Sequence, residues 1–486
     1  MSKLAKTFKE FPKTFWISNT MELFERWAWY GLFMVLALYL TKSTDEGALG
    51  FSQEQKGSIM GTVAAILYLL PIVTGSLADK FGYKRTLILA YFILATGYYM
   101  MGTFTGYGAV YFAFLYVGIG ASLFKPVISA TITKTTNEGN SSIGFGIFYM
   151  MVNIGAFLGP LFSSKLRDAY GWKIVFIMSS AAIIVNLLLL LVFYKEPERQ
   201  KTTESITQSI TSAFKNIYIA LKDFKLTLFL IIMIGFWTIL NQLYYTLPNF
   251  IDQWVDTQSL RNSIASVSPV FADKIGNNEG GINPEMLLNL DAAFIILFQI
   301  LISSFVMRYK AINAILGGTI VIGIGLCITM ATGNPLFIIL GLFIFSIGEM
   351  SASPKFTEYI GRIAPREKTA LYMGTSFLPL AAGNKLAGFF SGTVYQNLSD
   401  KTELLKLEME KRSIEIPLIS ESFTQNDYYR TAAEKLQLSM PELNAYLWQT
   451  YQPYKIWYIF AGITAVSVVA LFLYNKFILE KNVPAN

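Results

Sequence analysis

The sequence predicts an all-α membrane protein with twelve transmembrane helices in two six-helix bundles. Three observations carry this. Hydrophobic residues make up 53% of the 486, charged residues only 15%, and the mean hydropathy is +0.45; a soluble domain carries about 25% charged residues. Apolar segments of about 20 residues, the length that crosses a bilayer, recur twelve times. A polar stretch after the sixth divides them six and six, the pattern of a two-bundle carrier with its site near the midplane.

The spans fall at 14–41, 53–78, 84–106, 109–133, 142–166, 172–194, 226–251, 285–308, 311–332, 335–361, 368–396 and 454–478. Span 1 does not read as a cleaved signal peptide. Glu22, Glu25 and Arg26 interrupt its apolar run, and no small-residue cleavage site follows. Basic residues in short loops set the orientation. Lys3, Lys6, Lys9 and Lys13 precede span 1, and Lys80, Lys84 and Arg85 separate spans 2 and 3. Arg308 and Lys310 separate spans 8 and 9; Arg362, Arg366 and Lys368 separate 10 and 11. All share one side with both termini, and that side is expected to be cytoplasmic. These loops also account for the net charge of +7 without nucleic acid as a partner.

Three long polar segments remain. Residues 195–225 form a linker with a basic amphipathic stretch, while 252–284 and 398–452 lie on the opposite face. The expected domains are an N-terminal bundle at 1–196, a cytoplasmic linker at 197–225, and a C-terminal bundle at 226–486 with an extracytoplasmic insertion at 398–452. Within that insertion, Ser439-Met-Pro-Glu442 has capping-box spacing with proline in the first turn, so a short helix is expected from Met440.

Composition removes much chemistry. The chain has no histidine and one cysteine, Cys327. Histidine relays, Ser-His and Cys-His catalysis, intrachain disulfides and thiolate metal clusters are therefore excluded. No cofactor, no metal and no enzymatic activity are expected.

Charges inside spans point to a site. Span 1 carries Glu22-Leu-Phe-Glu25-Arg26-Trp27-Ala-Trp29-Tyr30-Gly31. Helical offsets place Glu22, Glu25, Arg26, Trp29 and Tyr30 on one face. Each charge at membrane depth costs about 2.5–3.5 kcal/mol on insertion scales, so three within a turn must face water and one another. Lys125 is a lone cation in span 4, next to Pro126, which frees a backbone carbonyl. Glu349 is a lone carboxylate deep in span 10, and Asp291 another in span 8. Between spans 2 and 3, Gly75-Ser-Leu-Ala-Asp79-Lys80-Phe-Gly82-Tyr-Lys84-Arg85 sets a carboxylate and a basic cluster at two helix ends, a pair able to lock neighbouring helices in one state.

This last string resembles the signature loop of the major facilitator superfamily. The span 1 string is similar to the ExxER-aromatic-x-aromatic-Tyr-Gly motif of the proton-dependent oligopeptide transporter (POT) family, a branch of that superfamily. The resemblance continues through Tyr68, the Gly118–Ser129 run around Lys125-Pro126, Phe148-Tyr149-Met150 with Asn153 and Gly155, Gly348-Glu349 with Pro354, and Gly383-Asn384-Lys385 with Gly388. It implies the major facilitator superfamily fold and proton-coupled import of di- and tripeptides by alternating access. It also implies roles. Arg26 and Lys125 receive the peptide carboxylate, and Glu349, helped by Asn153, the amino terminus. Trp29, Tyr30, Tyr68 and Trp237 line the substrate path. Glu22 and Glu25 couple protons with Arg26, while Asp79, Lys84 and Arg85 gate the conformational change. One proton falling through 100 mV supplies about 2.3 kcal/mol for accumulation.

The chain departs from the family in places. Asn241 stands four residues after Trp237, where many members have a glutamate proposed as a proton site. Asp291 replaces the usual asparagine in span 8, so it is counted with both the substrate-binding and the proton-coupling residues. Ser376 replaces a tryptophan of span 11, and the family's Phe and Tyr are Trp27 and Trp29 here. Acids in the spans still outnumber bases, which leaves spare carboxylates for protons. Two other readings follow: the same fold carrying another small zwitterion, such as an amino acid or peptide-like metabolite, or a sensor or scaffold built around 398–452. The expected setting is a bacterial plasma membrane, with a monomer in the lipid bilayer and peptides and protons as its partners.

Overall fold

Each expected span is helical in the computed structural model, which describes residues 8–137, 139–198 and 205–479. Lys3, Lys6 and linker positions 199–204 lie outside the described residues. Among those described, nine helices are long and apolar enough to cross a membrane. They are spans 2, 4 to 10 and 12. The other three are helical but more polar or broken. Span 1 runs Lys13–Thr41 and carries Glu22, Glu25 and Arg26; span 3 runs Tyr83–Met101 and starts with Lys84 and Arg85. Span 11 is divided into Thr369–Thr375, Phe377–Phe389 and a π-helical stretch Phe390–Val394 before Tyr395–Leu398.

Prolines mark the irregularities, since each lacks an N–H and pushes on the preceding turn. Span 2 is interrupted before Pro71, dividing into Gln53–Leu69 and Pro71–Phe81. Span 7 extends as Phe224–Leu240, Gln242–Tyr245 and Leu247–Trp254, the last opening on Pro248. Spans 4, 5 and 10 keep Pro126, Pro160 and Pro354 inside continuous helices.

The polar segments are also helical. The linker folds into Ile206–Leu221, started by a reciprocal Ser205–Gln208 capping box and packed on Pro71–Phe81. Thr257–Val267 and Pro269–Ile275 follow span 7. The insertion holds three helices: Lys401–Lys411, Gln425–Leu436 and Met440–Tyr451. The third begins at Met440 under the Ser439–Glu442 capping box, as its spacing predicts.

Contacts divide the chain into two units that differ from the 1–196 and 226–486 halves. Unit 1 takes the described residues up to Phe33, those in Val63–Asp223, and Ala370–Ala381. Unit 2 takes Met34–Thr62, Phe224–Thr369 and the described residues from Ala382. The hairpin joining spans 1 and 2 thus packs with unit 2, and the start of span 11 with unit 1. Glycine accounts for the first exchange. Inside unit 2, a Cβ on Gly57 would collide with the Gly388 backbone oxygen, and one on Gly61 would lie 2.8 Å from Gly388 Cα. Only a bare backbone permits two helices to approach this closely. In unit 1, Tyr372 Oη donates to Asp223 Oδ2 at 2.7 Å, tying span 11 to the end of the linker.

Candidate functional site

Unit 1 holds the cationic cluster. Glu22, Glu25 and Arg26 are 4%, 0% and 5% exposed, so the three charges have little but one another. Arg26 Nε donates to Glu25 Oε2 at 2.6 Å and lies 3.4 Å from Glu22 Oε1; Nη2 also pairs with Glu25 Oε2. Glu25 Oε1 is buried without a hydrogen bond. The guanidinium sits 6.0 Å from the Tyr30 ring centroid. Span 5 frames this cluster through two glycines. A Cβ on Gly155 would meet Leu23 O at 2.5 Å and Arg26 Cβ at 2.7 Å, and one on Gly159 would meet Gly31 N at 2.6 Å. The family-like Asn153-Ile-Gly155 run therefore has a steric basis: it lets span 5 rest on the backbone of the charged turn.

Lys125 of span 4 places its ammonium 5.3 Å from the Tyr68 ring centroid, within cation–π range. The structure thus brings Glu22, Glu25, Arg26 and Tyr30 together and sets Lys125, beside Tyr68, close enough for its charge to act on Glu22, Glu25 and Arg26. Trp29 is not among them: it is 8% exposed and stacks on Phe33 and Phe114 at 5.2 and 6.1 Å. Asn153 spends its amide on its own helix, donating to Tyr149 O at 2.8 Å.

Unit 2 holds carboxylates. Asp291 of span 8 is 2% exposed and accepts a hydrogen bond from Ser346 Oγ of span 10 at 2.5 Å. Glu349 follows Ser346 by three residues, on the same helical face. Its Oε2 is buried without a hydrogen bond. Among the described residues of unit 2, neither carboxylate has an ion-pair partner. Trp237 packs edge-on against Phe356 at 5.6 Å, and Asn241 returns its amide to Trp237 O at 2.7 Å.

The loop between spans 2 and 3 is fastened to the end of span 6. Glu196 accepts from the backbone N–H of Tyr83 at 2.9 Å and of Lys84 at 3.3 Å, which satisfies the first turn of span 3. Lys84 Nζ reaches Leu191 O at 3.3 Å, a cation on helix-end carbonyls. Asp79 accepts from Tyr83 Oη at 3.3 Å. Arg85 starts span 3 beside Lys84.

Sequence reading missed Ser346, Glu196 and Lys56. Each is an ordinary residue type whose role depends on a partner far along the chain. Lys56 gave no such signal: with Gln53, Glu54 and Gln55 before it and Ser58 after, it reads as the polar start of span 2.

Residues 20–378 match the model of the Major Facilitator Superfamily. The chain belongs to that superfamily, and it carries no enzymatic chemistry. It is related to POT family peptide transporters. Dipeptide and tripeptide permease A of Serratia proteamaculans (strain 568) is 32% identical over 193 residues, and that of Escherichia coli (strain K12) 31% over 186. These matches cover 39% and 37% of this chain, and the chain spans only 37% and 36% of the relatives' lengths. Among solved structures, a peptide transporter POT in complex with sulfate superposes with a TM-score of 0.69 at 16% identity, over 96% of this chain and 94% of that one. A POT family transporter in complex with 5-aminolevulinic acid gives 0.67 at 17%, over 97% and 99%. A point mutant of the nucleoside transporter NupG gives 0.66 at 13%, over 95% and 99%.

Proposed function

We propose that this chain is a proton-coupled symporter that imports di- and tripeptides by alternating access across a bacterial plasma membrane, with both termini cytoplasmic. The observation that carries the reading is the distribution of buried charge. Unit 1 sets two cations, Arg26 and Lys125, against Glu22 and Glu25; unit 2 has Asp291 and Glu349 without an ion-pair partner among its described residues. A peptide zwitterion supplies one charge of each sign. Its carboxylate competes with Glu22 and Glu25 for Arg26 and Lys125, and its ammonium meets Glu349, with Asn153 assisting. Tyr30, Tyr68 and Trp237 line the path.

Displacing carboxylates from Arg26 leaves them buried and unpaired, where a proton is cheaper than a bare charge. Peptide binding and proton binding then favour one another at Glu22 and Glu25. Asp291 provides a further proton site in place of the acid missing at Asn241, with Ser346 as its hydrogen-bond donor. The loop carrying Asp79, Lys84 and Arg85 fastens to span 6 in one state and releases it in another.

A second reading keeps the fold and the coupling but changes the cargo to another small zwitterion. The altered aromatic positions Trp27, Trp29 and Ser376 favour it, as does a POT family relative of this fold described with 5-aminolevulinic acid. Uptake of a labelled dipeptide into proteoliposomes, competed by peptides, amino acids and 5-aminolevulinic acid, separates the two. Competition by varied dipeptides supports the first; competition only by single amino acids supports the second.

A further inference from the structure

The insertion 398–452 contributes no charge to either span cluster, yet it grips two different parts of unit 2. The helix Gln425–Leu436 starts under a Thr424–Asp427 capping box, which fixes Asn426 in its first turn. Asn426 Nδ2 donates to Glu46 Oε1 at 2.9 Å and to Asp45 Oδ2 at 3.1 Å, and its backbone N–H to Ser43 Oγ at 3.3 Å. These acceptors form the turn that ends span 1.

At the base of the insertion, Asp400 Oδ2 accepts from Gln53 Nε2 and Gln253 Nε2, both at 2.9 Å. Gln53 opens span 2 and Gln253 closes span 7. The other oxygen of Asp400 caps Lys401–Lys411 through Glu403 N at 3.1 Å. On the span 7 side, Trp448 packs against Phe250 and Trp254 with ring centroids 6.1 and 6.0 Å apart, and Trp254 Nε1 donates to Ser399 O at 2.8 Å.

The hairpin itself meets span 7 at two lysines. Lys42 pairs with Glu46 at 2.7 Å and Asp252 at 3.3 Å. Lys56 is fully buried and donates to Gln53 Oε1, Tyr245 O and Asn249 Oδ1 at 2.8, 2.9 and 3.1 Å.

The seat between hairpin and insertion differs from a packed core. It leaves a partly open cavity of about 380 Å³ with a mixed lining, polar at Thr44, Ser52, Gln55, Thr402 and Gln425 and apolar at Phe51 and Ile419. Hydrogen bonds on the solvent-accessible Asn426 side exchange for bonds to water at small net cost, so this side opens more readily than the buried Asp400 end. Both ends of the hairpin continue directly into unit 1, at Phe33–Met34 and Thr62–Val63. Any movement of spans 1 and 2 as stiff rods must therefore pull on it.

We infer that the insertion is a clasp: by Asn426 and Asp400 it holds the span 1–span 2 hairpin against spans 7 and 11, and its release is a step in opening the carrier at this face. The inference rests on the alternating-access reading, but its test needs no peptide. The full chain is placed in lipid nanodiscs, and deuterium uptake is measured over residues 43–52 in wild type, Asn426→Ala, Asp400→Asn and the double variant. A spin-label pair at Thr44→Cys and Glu434→Cys, on a Cys327→Ser background, reports the distance from hairpin to insertion.

The clasp requires at least about five-fold faster exchange over 43–52 in Asn426→Ala, on the scale of one lost hydrogen bond. It requires a larger increase and a longer distance population in the double variant, while span 9 exchange is unchanged. Unaltered exchange and distance in folded Asn426→Ala would overturn it. That variant lies at a half-exposed helix start and decides the matter alone if the Asp400 variant does not fold. Failure of the transport reading would appear instead as absent uptake by wild type with the clasp still measurable.

Discussion

Arg26 is held by two acids of its own helix, so its charge is balanced before any substrate arrives. A ligand carboxylate must therefore displace one of them, and removing the arginine takes from two buried acids the cation they pair with directly. Arg26→Ala and Lys125→Ala are each expected to abolish dipeptide uptake while the protein stays folded, as read by gel filtration and thermal unfolding; near wild-type transport in either variant would end this assignment. Glu349→Gln is expected to weaken free-amine peptides about ten- to a hundred-fold, the scale of one charged hydrogen bond, with little change for N-acetylated ones. Equal losses for both in a competition assay would place the amine elsewhere. Asp291→Asn is expected to reduce proton-driven accumulation while peptide counterflow survives. The carboxylates themselves were legible in the sequence because a charge inside an apolar run is conspicuous. Ser346 was not, since a helical serine usually returns its hydroxyl to its own backbone, and Ser346 does this as well, with Leu342 O at 2.8 Å.

At the scale of elements, glycine contacts decide which helices touch. Gly155→Leu would push a side chain into Leu23 O and Arg26, so loss of about 1–3 kcal/mol of stability is expected, the usual cost of overpacking. Gly146 faces open space, and Gly146→Ala should be near neutral in the same thermal unfolding series. The insertion has its own polar hub. Burial would raise the Glu408 carboxyl, but hydrogen bonds from Tyr446, Tyr451 and Arg412 outweigh it and hold the group below its usual range. The stability this contributes is complete above the unfolded value of about 4.3 and is lost as pH falls through the lower folded value. Trp448 fluorescence during acid titration is expected to report insertion loosening at higher pH in Glu408→Gln than in wild type. Helix existence and the Met440 start followed from apolar length and capping chemistry, both local signals. The exchange of 34–62 and 370–381 between units did not, because a small-residue contact is recognisable only once its partner is known.

For the whole molecule, superfamily membership rests on residues 20–378, and the fold on superpositions covering about 96% of the chain. Cargo and coupling rest on the charges, and here one measurement bears on everything at once. Proteoliposomes containing the full chain are given a labelled dipeptide at equal concentrations inside and out, with an inward proton gradient imposed. The account predicts net accumulation that a protonophore abolishes, that unlabelled di- and tripeptides compete for, and that N-acetylated dipeptides do not. Dipeptide entry that only equilibrates, unchanged by the gradient or the protonophore, would contradict it.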